Sequence, residues 1–224
     1  MMFNLPEKTL YQKKIPKNKF YEKLQANRKL KEKFVRQVDQ VVWKHKISRE
    51  TVNIEPTKDV PEIQVFEVHL KQKELSPEVL ESIDRAIPYP VLFALLYGDQ
   101  VRLAMAYKKP GSQNRERSVV EHYFYSDWQN INEFSMELLK GLNLQTVYDN
   151  MIKRLMPLEV ESGQDLEEAV QRQKQAEKLE LEIAKLESKI NKERQFNRKV
   201  KLNLELQEKK KELQQVWDKE DIHG

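Results

Sequence analysis

From Gln164 to Ile222 the chain contains no glycine and no proline. Nothing in that stretch breaks an α-helix, and its apolar residues keep helical spacing. Ala176, Leu179, Ile183, Leu186 and Ile190 recur at alternating intervals of three and four, the seam of a coiled coil. A second apolar phase runs through Leu202, Leu206, Leu213 and Trp217, after polar interruptions at Glu193 and Asn197. Two arrangements fit this pattern. One long helix dimerises through its first half, or the chain turns near Asn191–Asn197 and pairs with itself. A seam of about three heptads is short for an intermolecular coiled coil, which favours the turn. The tail, residues 165–220, is therefore read as a coiled coil or hairpin whose residues Leu179, Ile183, Leu186 and Ile190 bind a partner.

The residues before the tail follow a different rhythm. Val91–Tyr97 and Val101–Lys108 are apolar or alternating runs separated by Gly98-Asp99-Gln100, which predicts a β-hairpin. Residues 62–70 and 119–126 also read as strands, the latter after a polar loop at 109–118. Ser76 and Pro77 open a short helix over 76–87, with Ser76 as N-cap and Pro77 at the first helical position. Leu30, Phe34, Val38, Val41 and Val42 form a stripe that predicts a helix from about Leu30 to Lys46, with Trp43 near its end. Phe134, Leu138, Leu139 and Leu142 predict another, and Val147, Met151, Ile152 and Leu155 a third. The expected fold is α+β: a largely antiparallel sheet of about four strands, helices on one face, then the helical tail. The expected boundaries are a basic arm at 1–27, a globular domain at 28–157 and a linker at 158–164.

Composition narrows the chemistry. There is no cysteine, which excludes disulfides and thiolate-bound zinc, and five glycines are too few for a phosphate-cradling loop. His45, His69, His122 and His223 lack a metal-binding spacing, no Gly-x-Ser-x-Gly elbow occurs, and no cofactor is indicated. No apolar run reaches the roughly 18 residues of a membrane span, and no secretory h-region follows the N-terminal lysines, so a cytoplasmic protein is expected.

The net charge of +4 conceals an asymmetry: residues 1–49 carry 14 Lys/Arg against 4 Asp/Glu, whereas residues 50–163 carry 12 against 18. A basic arm on an acidic body either attracts phosphates or folds back onto its own domain. Within the arm, Lys13, Lys14, Lys17, Lys19 and Lys23 interleave with Tyr11, Phe20 and Tyr21. Lysines neutralise phosphates and aromatic rings stack on bases, so these lysines and Tyr21 are the candidate nucleic-acid-binding residues.

"PEIQVFEVHLK" (61–71) offers a competing chemistry. Glu62-x-Gln64 on a strand is the form in which some nucleases hold a divalent metal and an attacking water. By parity, Glu62 and Gln64 share a face with Phe66, Val68 and Leu70, a face that runs into the core. The only nearby upstream acids are Glu55 and Asp59. A structural strand is the stronger reading, with a cryptic metal-dependent nuclease as the alternative.

The phrases "IPKNKFYEK", "KEKFVRQVDQVVWKHKIS", "PEIQVFEVHLK", "IDRAIPYPVLFAL", "AYKKP" and "KERQFNRKVKLN" together resemble an uncharacterised bacterial family, a domain of unknown function. Members of that family look like companions of helicase and DNA-methyltransferase genes, in clusters resembling phage-defence or restriction–modification systems. The resemblance implies partnership rather than an activity. It points to a non-enzymatic accessory or adaptor subunit of a DNA-processing complex that binds a larger protein such as a helicase or methyltransferase, and DNA or RNA. A homodimer through the tail is the other expected partnership.

Overall fold

The computed structural model describes residues 2–23, 27–110, 118–157, 160 and 164–218, with backbone only at 21–23, 110 and 118. It divides into two compact units, Met1–Met156 and Pro157–Gly224. Most of the expected linker at 158–164 and most of the polar loop at 109–118 lie outside the described residues.

The first unit is built on one mixed sheet. Its strands are β1 (Leu10–Ile15), β2 (Val38–Ile47), β3 (Ile63–Leu70), β4 (Val91–Tyr97), β5 (Gln100–Pro110) and β6 (Ser118–Tyr125), lying side by side in that order. A short β7 (Gln129–Asn130) also pairs with β5. All pairings are antiparallel except β3 with β4, which run parallel because helix α4 (Pro77–Arg85) carries the chain between them. β4 is buried along Val91–Leu96 and forms the centre, as its unbroken apolar run requires. The β4–β5 turn places Gly98 at φ +58°, a conformation that favours glycine.

The sheet is wider than the four strands expected, and β2 accounts for part of the difference. The predicted helix over 30–46 stops at Gln37, as α2 (Arg28–Gln37), and the chain continues as strand. Its helical spacing misleads for a specific reason. Register shifts between Val38 and Gln40, and this bulge lets Val38 and Val41, three residues apart, both reach zero exposure within one cluster. The β-branched residues Val38, Val41, Val42 and Ile47 then favour strand. β1 is the second correction. Within the basic arm expected at 1–27, residues Leu10–Ile15 pair with β2 as a strand, and α1 (Asn18–Lys23) follows.

One face of the sheet carries the cluster of Phe66, Val68, Val91, Phe93 and Leu95 against Phe20, Phe34, Val79, Leu80 and Ile83, from α1, α2 and α4. The opposite parity of β4, Leu92, Ala94 and Leu96, is buried too. There α5 (Leu144–Leu155) packs on β5, so both faces are covered rather than one. Tyr148 locks α5 in place: its hydroxyl donates to Ala106 O at 2.8 Å and accepts from Lys108 N–H at 2.9 Å, at the bulge where β5 and β6 shift register. The helix expected around Phe134–Leu142 is absent. Residues 131–143 are irregular, with Phe134 and Leu138 buried and Leu142 exposed. Asn130 accepts from Asn132 N–H in a local turn, and Asn143 accepts from Thr146 N–H to start α5 instead.

The second unit is a hairpin of α6 (Leu166–Lys192) and α7 (Phe196–Trp217), broken at Glu193–Gln195. Asp165 caps α6 by accepting from Glu168 N–H. Ile183, Leu186 and Ile190 pack against Leu202, Leu206 and Leu213, while Ala176 and Leu179 pack against Val216 and Trp217. Lys209–Glu182 and Lys210–Glu187 bridge the pair. The turn near 191–197 is therefore the arrangement adopted, and the single long helix is not.

Candidate nucleic-acid interface

Among the described residues β1 is an edge strand, paired with β2 alone. Gln12 takes a left-handed φ of +52° where the register with β2 shifts, a bulge typical of edges that avoid pairing with another chain. Beyond it Lys13 lies opposite Trp43, Lys14 opposite Val42 and Ile15 opposite Val41. Alternation thus puts Lys13 and Ile15 on the face of Trp43 and Lys14 on the other. Lys13, Lys14 and Lys19 are exposed.

Lys17 has a different role. Its ammonium donates to Val38 O at 2.9 Å and clips the segment after β1 to the start of β2. Burial, and then the nearby Lys71 charge, lower its pKa. The side chains of Tyr21 and Lys23 lie outside the described residues.

An aromatic ladder crosses the sheet from this edge. Tyr11, 47% exposed, sits with its ring centroid 4.1 Å from Trp43; Trp43 stacks on Phe66 at 6.0 Å and 9°; Phe66 meets Phe93 at 6.5 Å. Beside the ladder lies a cavity of about 290 Å³, walled by Phe20, Trp43, Phe66, Ile87 and Tyr89, with Lys19 at its lining. Trp43 Nε1 donates to His45 O, which fixes the indole. The sequence places Trp43 near the end of a predicted helix; only the bulged strand brings it under Tyr11.

His45 anchors the N-terminal segment from beneath. Thr9 Oγ1 donates to Pro6 O at 2.7 Å, so its one hydroxyl proton is used and His45 Nδ1–H is the donor in the 2.9 Å contact with Thr9 Oγ1. Burial, then the Lys44 charge, lower the His45 pKa.

Glu62 and Gln64 do come together, but around a lysine. Gln64 Nε2 donates to Glu62 Oε1 at 2.9 Å, and Lys46 Nζ stands 2.7 Å from Glu62 Oε2. The hydrogen bond and charge of Glu62 raise the Lys46 pKa against some burial. Gln64 is buried, as parity requires. Among the described residues no group of three His, Cys, Asp or Glu side chains is placed to hold a metal. His69 faces Glu67 at 3.7 Å and His122 sits against Phe124 at 4.7 Å, so these two histidines are not joined in one site.

A second polar cluster is invisible to sequence spacing. Asp84, fully buried, is met at Oδ1 by Lys108 Nζ at 2.7 Å and at Oδ2 by the donating Tyr123 hydroxyl at 2.9 Å. Lys108 Nζ also donates to Tyr89 O at 3.1 Å. Burial raises the pKa of Asp84 despite Lys108, and raises that of Tyr123, with the Asp84 charge adding to it. Each charge in this cluster is matched internally, so it braces α4 against β5 and β6.

The seam residues Leu179, Ile183, Leu186 and Ile190 are buried in the α6–α7 hairpin. The surface expected to receive a partner is thus taken by α7. The apolar residues left exposed on that helix are Phe196, Val200 and Leu204, at 80%, 43% and 63% exposure and spaced four apart.

No helix among the described residues is long and apolar enough to cross a membrane. Residues 3–213 match the model of a family described as a domain of unknown function, DUF4391, and the chain belongs to that family. No curated protein matches the chain, and no solved structure does.

Proposed function

We propose that this family member is a non-enzymatic accessory subunit that binds nucleic acid along the β1 edge and attaches to a larger DNA-processing protein. The observation that supports it best is the grouping of exposed Lys13 and Lys19 with a half-exposed Tyr11 stacked on Trp43. Cations that neutralise phosphates stand beside a ring that can stack on a base, the two ingredients of sequence-tolerant binding to a single strand. Lysines on an edge strand also discourage edge-to-edge aggregation. That role needs no stacking platform, and the ladder is what favours the nucleic-acid reading. The nuclease alternative through Glu62 and Gln64 has less support, because the Glu62 carboxylate is engaged by Lys46 and Gln64.

The partner is taken to be a helicase- or methyltransferase-like protein of a defence or restriction system, on the strength of the sequence resemblance. The exposed Phe196–Val200–Leu204 stripe is the apolar surface of the tail that fits such attachment. Cytoplasmic residence goes with this reading.

The test is fluorescence anisotropy with single-stranded and duplex oligonucleotides across a salt series. Replacing Lys13, Lys14 and Lys19 together by Gln should weaken binding. It should also flatten the slope of log K against log salt by about 0.7 to 0.9 for each lysine that contacts a phosphate. Unchanged affinity and slope in the triple variant would reject the interface.

A further inference from the structure

A larger cavity, about 610 Å³, lies at the opposite end of β3 from Glu62. It opens where β3 ends, at Lys73–Ser76, and is floored by Leu80 of α4 and Leu95 of β4. These are the carboxyl ends of the two parallel strands, next to the point where β5 reverses direction. In open α/β sheets ligands bind in the crevice outside the carboxyl ends of the strands, and the single β–α–β unit of this mixed sheet presents its carboxyl ends to the cavity in the same way.

Two cation–aromatic pairs line this cavity. The Arg102 guanidinium carbon lies 4.7 Å from the centre of the Tyr125 ring, and Arg102 Nε donates to Ser126 O at 2.8 Å. The Nε–H and one planar face are thus engaged, and the terminal Nη groups have no carboxylate partner among the described residues. Lys73 Nζ stands 5.4 Å from the centre of the Trp128 ring, also without a described carboxylate partner. Among the described residues of the lining Glu74 is the one acid, set against the two cations Lys73 and Arg102.

The acids of α4 nearest the cavity are tied to other cations: Glu81, whose charge reaches the Tyr125 ring, is paired with Arg85 at 3.1 Å. Gln37, buried, accepts from Ser76 N–H and donates to Ser76 Oγ, fixing the residue before the helix. The acid of the first turn, Glu78, is paired with Lys33. An arginine pre-oriented by stacking and one hydrogen bond loses little freedom on meeting a planar or tetrahedral oxyanion. A half-buried indole beside it suits a flat aromatic group, and the volume lies within the usual range for a small-molecule site, roughly 300–1,000 Å³.

We propose that this cavity binds a nucleotide, its phosphate held by Arg102 and Lys73 and its base packed against Trp128. The same chemistry is offered by a free mononucleotide and by the phosphorylated end of a strand. The site is separate from the β1 edge, and its occupancy does not depend on the reading of that edge.

Isothermal titration calorimetry of the full chain tests it with AMP, UMP, adenosine, inorganic phosphate, and one oligonucleotide with and without a 5′-phosphate. A phosphorylated ligand should bind more tightly than adenosine, phosphate or the unphosphorylated strand. Arg102→Met should weaken that binding by about tenfold or more, the worth of a charge-assisted hydrogen bond, and Arg102→Lys should restore part of it. The exposed Lys58→Gln, a lysine in neither this cavity nor the β1 edge, should leave mononucleotide affinity unchanged. Tighter binding of the mononucleotides identifies a free ligand; tighter binding of the phosphorylated strand identifies a strand end. The proposal falls if no phosphorylated probe binds better than its unphosphorylated counterpart, or if a natively melting Arg102→Met binds like the wild type. Should Arg102→Met not fold, the exposed Lys73→Gln and the half-buried Trp128→Leu decide, and unchanged affinity in both overturns it.

Discussion

Lys13 stands in solvent on the β1 edge, whereas Lys108, near the far end of β5, has 7% of its side chain exposed and faces an enclosed carboxylate. The two differ in almost every physical respect except residue type. An exposed ammonium keeps its hydration, pairs weakly with anything nearby, and is free to exchange water for a phosphate. A buried ammonium has given up hydration and depends on Asp84 and the Tyr89 carbonyl to offset that loss. Lysines at the edge should therefore govern binding and barely touch stability, and the lysine beneath β5 should do the reverse.

The largest expected effect tests the buried half of this contrast. Lys108→Met leaves Asp84 enclosed without its cation, with Tyr123 as its remaining partner, and should cost about 3–5 kcal/mol in urea denaturation. Converting Asp84 to Leu in the same chain should recover much of that. The Tyr123 hydroxyl would then lack its acceptor, at a cost of about 1–3 kcal/mol, unless Tyr123→Phe is added. If Lys13→Gln with Lys14→Gln destabilised the protein as much as Lys108→Met, the contrast would collapse.

Lys17 sharpens the comparison, because it comes from the same sequence cluster as Lys13 and Lys14 but bonds to Val38 O. Lys17→Gln should lower stability by about 1 kcal/mol through the lost charge-assisted bond, while Lys14→Gln should stay within about 0.5 kcal/mol of the wild type. Binding should show the opposite order, with Lys14→Gln shifting the salt slope more than Lys17→Gln. Equal effects of the two variants on both quantities would mean that the clip has no energetic weight.

How legible this was from sequence depends on whether the signal was local. The β4–β5 hairpin, α4 with its Ser76-Pro77 start, and the two-phase tail are written in adjacent residues, and they stand where the patterns place them. β2 is not legible, because its bulge gives strand residues helical spacing. The irregular 131–143 segment is not either, since Phe134 and Leu138 are buried at helical spacing without a helix. The lysine cluster of the arm is plain in sequence, but its sorting into exposed Lys13, Lys14 and Lys19 and tethered Lys17 depends on where Val38 O lies. Trp43 under Tyr11, and Asp84 with Lys108 and Tyr123, come from separate elements and carry no signature in spacing.

The smallest expected effect concerns the underside of the edge. His45 is held neutral by burial, with its Nδ1–H on Thr9, and its folded pKa is depressed below the ordinary value. The unfolded chain takes up a proton near the usual histidine pKa of about 6.5, so below that pH the unfolded state binds more protons than the folded one. The stability contributed by neutral His45 is therefore complete above about pH 6.5 and declines as the pH falls toward the folded pKa. Thermal melts should show a modest decrease from pH 7.5 to 5.5, and the decrease should shrink in His45→Gln, whose amide can donate to Thr9 without titrating. Because Thr9 immediately precedes β1, acidification should also expose the β1 edge to proteolysis before it affects β4 and β5. Cleavage that begins in the β4–β5 hairpin at pH 5.5 would place the acid-sensitive contact away from His45.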